Sequence, residues 1–239
     1  MSLLEMENVS KSYSAGIDVL AGLDFQIEQG EVVAIIGPSG SGKSTFLKIA
    51  GLLDLPSTGA VRFAGRDCSK LTDAEQTLLR RKNLGFIYQQ HCLLPEFTAM
   101  ENLVIPQLIC NFPVEEAHKR ATLVLSGLNM QDKANSRPSQ LSGGEQQRIA
   151  VLRGVINSPQ LLLADEPTGN LDPHNSRLVV EVFLSLVRSI GLAVIIVTHN
   201  LAVAARADRI MELRDGKLMP YSIKSSTTGR VAVNSTGVV

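Results

Sequence analysis

The sequence predicts an α/β chain: a mostly parallel sheet flanked by helices, an antiparallel β patch near the start, and a helical segment inserted into the sheet domain. Three observations predict it. The short runs EVVAIIG (31–37), LGFIY (84–88), QLLLAD (160–165) and AVIIVT (193–198) are apolar on both faces, as parallel strands covered by helices on each side must be. Phe25 and Ile27 in DFQIEQG alternate with polar neighbours, and AVRF (60–63) is a similar short run, which fits an antiparallel patch with one wet face. Between these groups, residues 92–140 have helical character, and strand alternating with helix builds a layered sheet.

Taken in order, the chain opens on MSLLEMENVSKSY, where Glu5 and Glu7 interrupt any apolar stretch that a secretory leader would need. After the β patch and the strand at 31–37, the next clear start is Thr98, with Glu101 at capping-box spacing. Pro106 is expected to kink or end the helix that follows, and Pro113 opens another that stops near Gly127. Ser142 and Glu145 repeat the capping-box spacing. A later helix has Asp172 to cap it, Pro173 in its first turn and Gly191 just past its end. Asp215-Gly216 signals a turn, and the Ser-, Thr- and Gly-rich tail from Tyr221 is expected to be loose. The predicted organisation is one domain over 1–220: an α/β core from 1–91 and 155–220, a helical part from 92–154, and a flexible tail over 221–239.

Composition bounds the function. Lys plus Arg and Asp plus Glu both number 23, so no excess of positive charge is available to grip nucleic acid or an acidic membrane. Cys68, Cys92 and Cys110 are odd in number and contain no CxxC pair, which argues against a disulfide framework or a zinc site and fits a reducing cytosol. No run approaches the roughly 20 apolar residues of a bilayer span. Work at a membrane would need an anchoring partner.

The motifs carry the chemistry. Gly37-Pro38-Ser39-Gly40-Ser41-Gly42-Lys43-Ser44-Thr45 fits G-x-x-x-x-G-K-[ST], with a strand before it and a helix after it. Backbone N–H groups freed by the glycines curl around phosphates, and the helix start adds partial positive charge. Lys43 is expected to reach β/γ oxygens and Ser44 to ligate Mg²⁺. Downstream, the buried strand LLLAD ends in Asp165 and Glu166 at the sheet edge where ligands bind. Such a pair alone is more often a strand end meeting solvent. Beside a phosphate loop, Asp165 suits the Mg²⁺ shell and Glu166 suits a general base orienting water. His199 closes another apolar strand, which favours contact with the γ-phosphate over a structural role. Gln89, after LGFIY, reads either as a polar loop residue or as a neutral group touching Mg²⁺ and water. LSGGEQQR (141–148) is a second glycine motif at a helix start, again an anion-binding surface.

These elements in this order resemble the nucleotide-binding subunit of an ATP-binding cassette (ABC) transporter, over about Leu3 to Leu218. The resemblance implies a RecA-like P-loop NTPase fold with ATP and Mg²⁺ as ligands. By that analogy GPSGSGKS is the Walker A loop, LLLADE is Walker B with its catalytic glutamate, and Gln89 is the Q-loop glutamine. His199 is the switch histidine, GNLD (169–172) is the D-loop with Asp172, and Tyr13 in KSY stacks on adenine. LSGGEQQR is the family signature. It implies that Ser142, Gly143, Gly144 and Glu145 close over the γ-phosphate held by a second copy packed head to tail.

A narrower resemblance follows from LGFIYQ, LLPEFTAMENL and LADEPTGNLD, which are similar to the lipoprotein-releasing (LolD-type) ATPases. That likeness implies two integral membrane permease subunits, docking at the cytoplasmic face of the bacterial inner membrane against the helical part near Gln89 and Leu93–Leu103. It also implies the transfer of outer-membrane-directed lipoproteins to a periplasmic carrier. The related macrolide-export and cell-division ATPases share ADEPTGNLD, so the alternative is such a complex, with the chain acting as an ATP-gated signalling subunit. Departures from the family pattern are Gln90, where an aromatic is common, and AVLRGV (150–155) in place of a more alanine-rich stretch.

Overall fold

A computed structural model describes residues 2–14, 16–169 and 173–222. The chain runs β1 (Ser2–Ser14), β2 (Ile17–Glu28), β3 (Val32–Ile36), α1 (Lys43–Ala50), β4 (Thr58–Phe63), β5 (Arg66–Asp67), α2 (Asp73–Asn83) and β6 (Leu84–Ile87). It continues through α3 (Ala99–Ile109), α4 (Val114–Gly127), α5 (Gly143–Val155), β7 (Leu161–Asp165), α6 (Pro173–Ser189), β8 (Ala193–Val197), α7 (Leu201–Ala204), β9 (Arg209–Arg214) and β10 (Lys217–Pro220).

Six strands form the main sheet in the order β10-β9-β3-β8-β7-β6, parallel except for the β9–β10 hairpin at one edge. Their residues divide by alternation. Val33, Ile35, Leu161, Leu163, Ala193 and Ile195 face one core, which α1 fills with Phe46, Leu47 and Ile49. Val32, Leu162, Ala164, Val194 and Ile196 face the other, against Val180, Phe183 and Val187 of α6. Both faces are therefore buried, and that is why the strands read as continuous apolar runs.

The antiparallel sheet, ordered β2-β1-β4-β5, closes the first core from outside. Strand β1 has no counterpart in the sequence reading, yet Leu4 and Met6 are buried while Glu5 and Glu7 point away. The period of two is present but short. Helix α2 is likewise absent from the sequence reading, although Thr72 and Glu75 form a complete capping box of the same kind as Thr98 and Glu101.

Three expectations need correction. Pro106 lies inside α3 without ending it. The N–H it lacks would have bonded one turn back, and Gln107 holds the next turn by donating its side-chain amide to the carbonyls of Leu103 and Ala117, both at 3.0 Å. Residues 92–140 are not helical throughout, because 92–98 form no helix. Tyr221 is not loose: its N–H donates to the Ile210 carbonyl at 2.9 Å, and its ring packs near Ile36 and Ala204. The rest of the tail from 223, like Asp172, lies outside the described residues. No helix among the described residues is long and apolar enough to cross a membrane.

Candidate functional site

Strand β3 delivers the chain into the glycine loop at 37–42, and α1 leaves it at Lys43. Gly42 is the N-cap, with φ +99 and no side-chain cap, so the first N–H groups of α1 have no internal acceptor from a capping side chain. A Cβ on Gly42 would stand 2.8 Å from the Val19 carbonyl oxygen, so the loop is pressed against the start of β2. Lys43 Nζ donates to the carbonyls of Gly37 (2.9 Å) and Pro38 (2.8 Å), which lays the cation along the loop. Ser41 Oγ is buried with no hydrogen-bond partner among the described residues. An orphaned hydroxyl in a nest of backbone donors is what a bound anion would satisfy.

Strand β7 ends on the carboxylates. Burial pushes the Asp165 carboxyl above its ordinary value; the hydroxyl of Ser44 bonds to it and opposes the rise, while the Glu166 charge adds to it. Asp165 and Ser44 thus meet at the phosphate loop. Glu166 is in the left-handed region at φ +46, a conformation rare for a residue with a side chain. The turn directs its carboxylate across to β8, whose Val197 pairs with Asp165 in parallel register. Oε2 accepts from Thr198 Oγ1 at 3.0 Å, and Oε1 accepts from the His199 backbone N–H at 2.9 Å. The same Oε1 lies 2.6 Å from His199 Nδ1, and the imidazole is otherwise 70% exposed. Gln89 stands against Gly169, whose Cβ would fall 3.0 Å from Gln89 Nε2.

The second glycine motif starts α5. Ser142 caps it, and the box is closed: the Ser142 N–H donates to Glu145 Oε2 at 2.8 Å, and Ser142 Oγ accepts from the Glu145 N–H at 3.3 Å. The Ser142 N–H leads in holding the Glu145 carboxyl below its ordinary value; the Ser142 hydroxyl, donating to Oε2 at 2.9 Å, and Lys133 at 3.2 Å add to it. Among the described residues no hydrogen bond or ion pair joins this helix start to the loop at 37–45.

The body of α5 does touch the site. Gln147 Nε2 donates to the Tyr88 carbonyl at 3.4 Å, and Arg153 donates to the carbonyls of Cys92 (2.7 Å) and His91 (3.0 Å). Helix α5 therefore grips both flanks of Gln89. The only hint of this in the sequence is a lone charge in the apolar run AVLRGV.

Tyr13 lies near the end of β1, 56% exposed, with its hydroxyl donating to Asp54 Oδ2 at 2.9 Å. Asp172 is outside the described residues.

The parallel sheet with a glycine loop at β3 and acids at β7 defines a P-loop nucleotide-binding fold of the α/β class. Residues 20–169 match the ABC transporter family model. The dimeric ATP-binding cassette MJ0796, solved in a post-hydrolysis state bound to ADP and Pi, superposes with a TM-score of 0.81 at 40% identity, covering 90% of this chain and 96% of that one. The chain belongs to the ABC transporter family. Within it, the chain is 50% identical over 219 residues to the lipoprotein-releasing system ATP-binding protein LolD 1 of Rhodospirillum rubrum, covering 90% of this chain and 97% of that protein. It is 51% identical over 220 residues to LolD of Roseobacter denitrificans, with the same coverage of 90% and 97%.

Proposed function

We propose that this chain is the ATP-hydrolysing subunit of an ABC complex that releases lipoproteins from the inner membrane of a bacterium to a periplasmic carrier. Identity near one half over nine-tenths of the chain to lipoprotein-releasing ATP-binding proteins supports the cargo class. One observation carries the chemistry: an uncapped helix start with a lysine in its first turn meets, through Ser44, a strand end bearing two acids.

The residues act in sequence. Backbone N–H groups of 37–45 hold the phosphates, and Lys43 exchanges the carbonyls of Gly37 and Pro38 for phosphate oxygens. Ser44 and Asp165, with Gln89, would hold Mg²⁺; a buried carboxylate beside a hydroxyl is an oxygen donor set that a hard cation takes together with substrate phosphates and water. The ion neutralises phosphate charge when bound. Glu166 orients a water in line with the γ-phosphorus and takes its proton as the bond to the bridging oxygen breaks, giving ADP and phosphate. Thr198 and His199 fix the Glu166 carboxylate from the neighbouring strand, and His199 also faces the γ-phosphate. Tyr13 offers its ring to the base.

Two copies complete the sites. Ser142, Gly143 and Gly144 of one cover the γ-phosphate held by the other, and Asp172 lies at the same junction. The dimeric state of the similar cassette MJ0796 supports this arrangement. The membrane subunits dock in a mostly apolar groove lined by Leu53, Phe86, Tyr88, Ile109 and Arg153, directly beside the segment that carries Gln89. The protein is thereby held at the cytoplasmic face of the membrane.

Replacing Glu166 with Gln tests the reaction. The variant is expected to bind ATP, form a stable dimer in size-exclusion chromatography with ATP, and lose at least about a hundredfold in turnover. Hydrolysis at the normal rate overturns the role of Glu166. For the cargo, the chain purified from its native membrane is expected to carry its permease subunits and acylated protein; a division-type membrane subunit in their place overturns lipoprotein release.

A further inference from the structure

The phosphate end of the site is rigid by construction, whereas the base end rests on Tyr13, a ring more than half exposed at the end of a strand. An exposed aromatic swings among rotamers, and a stacking surface works best when it is already in place. Something must hold it.

The register places the Tyr13 backbone close to the phosphate loop. Across the β1–β2 hairpin, Ser12 pairs with Asp18 and Ser14 with Ile17. Val19, the next residue but one after Ile17, lies with its carbonyl against Gly42. Tyr13 therefore sits one hairpin step from the phosphate loop. Its hydroxyl donates to Asp54 Oδ2 at 2.9 Å. The other oxygen of Asp54 accepts from Lys11 Nζ at 2.7 Å and from the Leu55 N–H at 2.8 Å. Lys11 Nζ also donates to the Leu55 carbonyl at 2.7 Å and stands 5.0 Å from the centroid of the Tyr13 ring. Burial pushes the Asp54 carboxyl up, but hydrogen bonds from Lys11, Tyr13 and Leu55 outweigh it and hold the group below its ordinary value, ionised at neutral pH.

Asp54 is itself fixed to α1. The N–H groups of Leu53 and Asp54 both donate to the Lys48 carbonyl, at 2.8 and 3.3 Å. A second strut joins the same loop to β1, from the Ser57 N–H to the Ser10 carbonyl at 2.8 Å and from the Ser12 N–H to Ser57 Oγ at 3.1 Å. Helix α1 thus has the phosphate loop at its start and the anchor of Tyr13 at its end. At about 1.5 Å per residue, the helix is a stiff rod of roughly 12 Å between them.

We propose that Asp54 is a positioning residue that holds the Tyr13 ring at a fixed distance from the phosphate loop, so that the base and the triphosphate are gripped by one rigid unit. The inference rests on Tyr13 serving as the base platform. It assigns Asp54 and Lys11 to the specificity of the site for a nucleotide over a bare polyphosphate.

The test uses the full chain with ATP and inorganic tripolyphosphate as separate calorimetric probes. Tyr13→Phe keeps the ring and removes the hydroxyl; Asp54→Ala removes its acceptor. Each is expected to weaken ATP about three- to tenfold, with the double variant no worse than the single ones and tripolyphosphate affinity unchanged. Additive losses, or an equal loss for tripolyphosphate, would mean that Asp54 merely braces the loop, and the proposal fails. Tyr13→Ala separates the two readings. If it weakens ATP while Tyr13→Phe and Asp54→Ala do not, the platform stands and the anchor falls. If Tyr13→Ala binds ATP normally, the platform itself is wrong and the anchor falls with it.

Discussion

Helices α1 and α5 both have glycine at their starts, Gly42 just before α1 and Gly143 and Gly144 as the first residues of α5, and they begin in opposite ways. Gly42 caps α1 with φ +99, offers no side-chain acceptor, and is followed by Lys43 with no acid in the first turn. Ser142 caps α5 in an extended conformation, closes a box with Glu145, and thereby puts an anion in the first turn. The aligned peptide dipoles attract negative charge to either start. Only α1 adds a cation and leaves its donors without a capping side chain. At α5 one donor is already given to Ser142 Oγ, and Glu145 partly cancels the dipole. Glycine content does not make a phosphate cradle; the cap decides. The contrast fits the proposed division of labour, in which α1 holds the triphosphate and the tip of α5 covers a neighbour's nucleotide.

The largest effect expected from this contrast is at Gly42. Alanine there keeps a left-handed backbone that side chains resist and drives Cβ to within 2.8 Å of the Val19 carbonyl. Strain of about 1–3 kcal/mol is expected, together with loss of ATP binding, measured by thermal unfolding and calorimetry. A variant that binds ATP at wild-type affinity would show that the uncapped, left-handed start is dispensable.

Ser142→Ala is next, at about 1 kcal/mol, or a fall in Tm of about 2–4 °C. Its cost should depend on pH. Glu145 is held below its ordinary value, 4.5, so its contribution is fully present above that pH and is lost as the pH falls through the lower folded value. Equal costs at pH 7 and at pH 3 would break the link between cap and carboxylate.

Asp165→Asn should have the smallest effect, and of opposite sign. Burial raises this carboxyl in the folded chain above its ordinary 3.8, so the charged form destabilises the fold once the pH exceeds the raised value. Without nucleotide, the amide is expected to raise Tm at pH 7 by less than Ser142→Ala lowers it, and by nothing below the unfolded value near 3.8. A lower Tm at pH 7 would show that Ser44 more than offsets the burial.

Much of this was legible because it is local. Parallel strands buried on both faces announce themselves as short apolar runs, and the glycines at 37–42 and the Ser142–Glu145 spacing specify their turns without help from the rest of the chain. Strand β1 escaped because its alternation spans only Leu4 to Glu7 before bulges disturb it. Helix α2 has the Thr72–Glu75 capping box but only one buried residue, Leu79, so no apolar stripe accompanies its start. Pro106 misled because propensity says a helix should stop there, while Gln107 reaches over to α4 and carries the turn past it.

What the sequence determined by itself was which loops can hold an anion and which strand ends bear acids, since caps, glycines and periodicity act within a few residues. The pairing of Glu166 with His199 was decided only in three dimensions, by the register that sets β7 beside β8 and by a left-handed turn at Glu166. So was the grip of Arg153 on the carbonyls flanking Gln89, across 61 and 62 positions of chain. Contacts between residues so far apart depend on how the layers stack, and no local pattern encodes that.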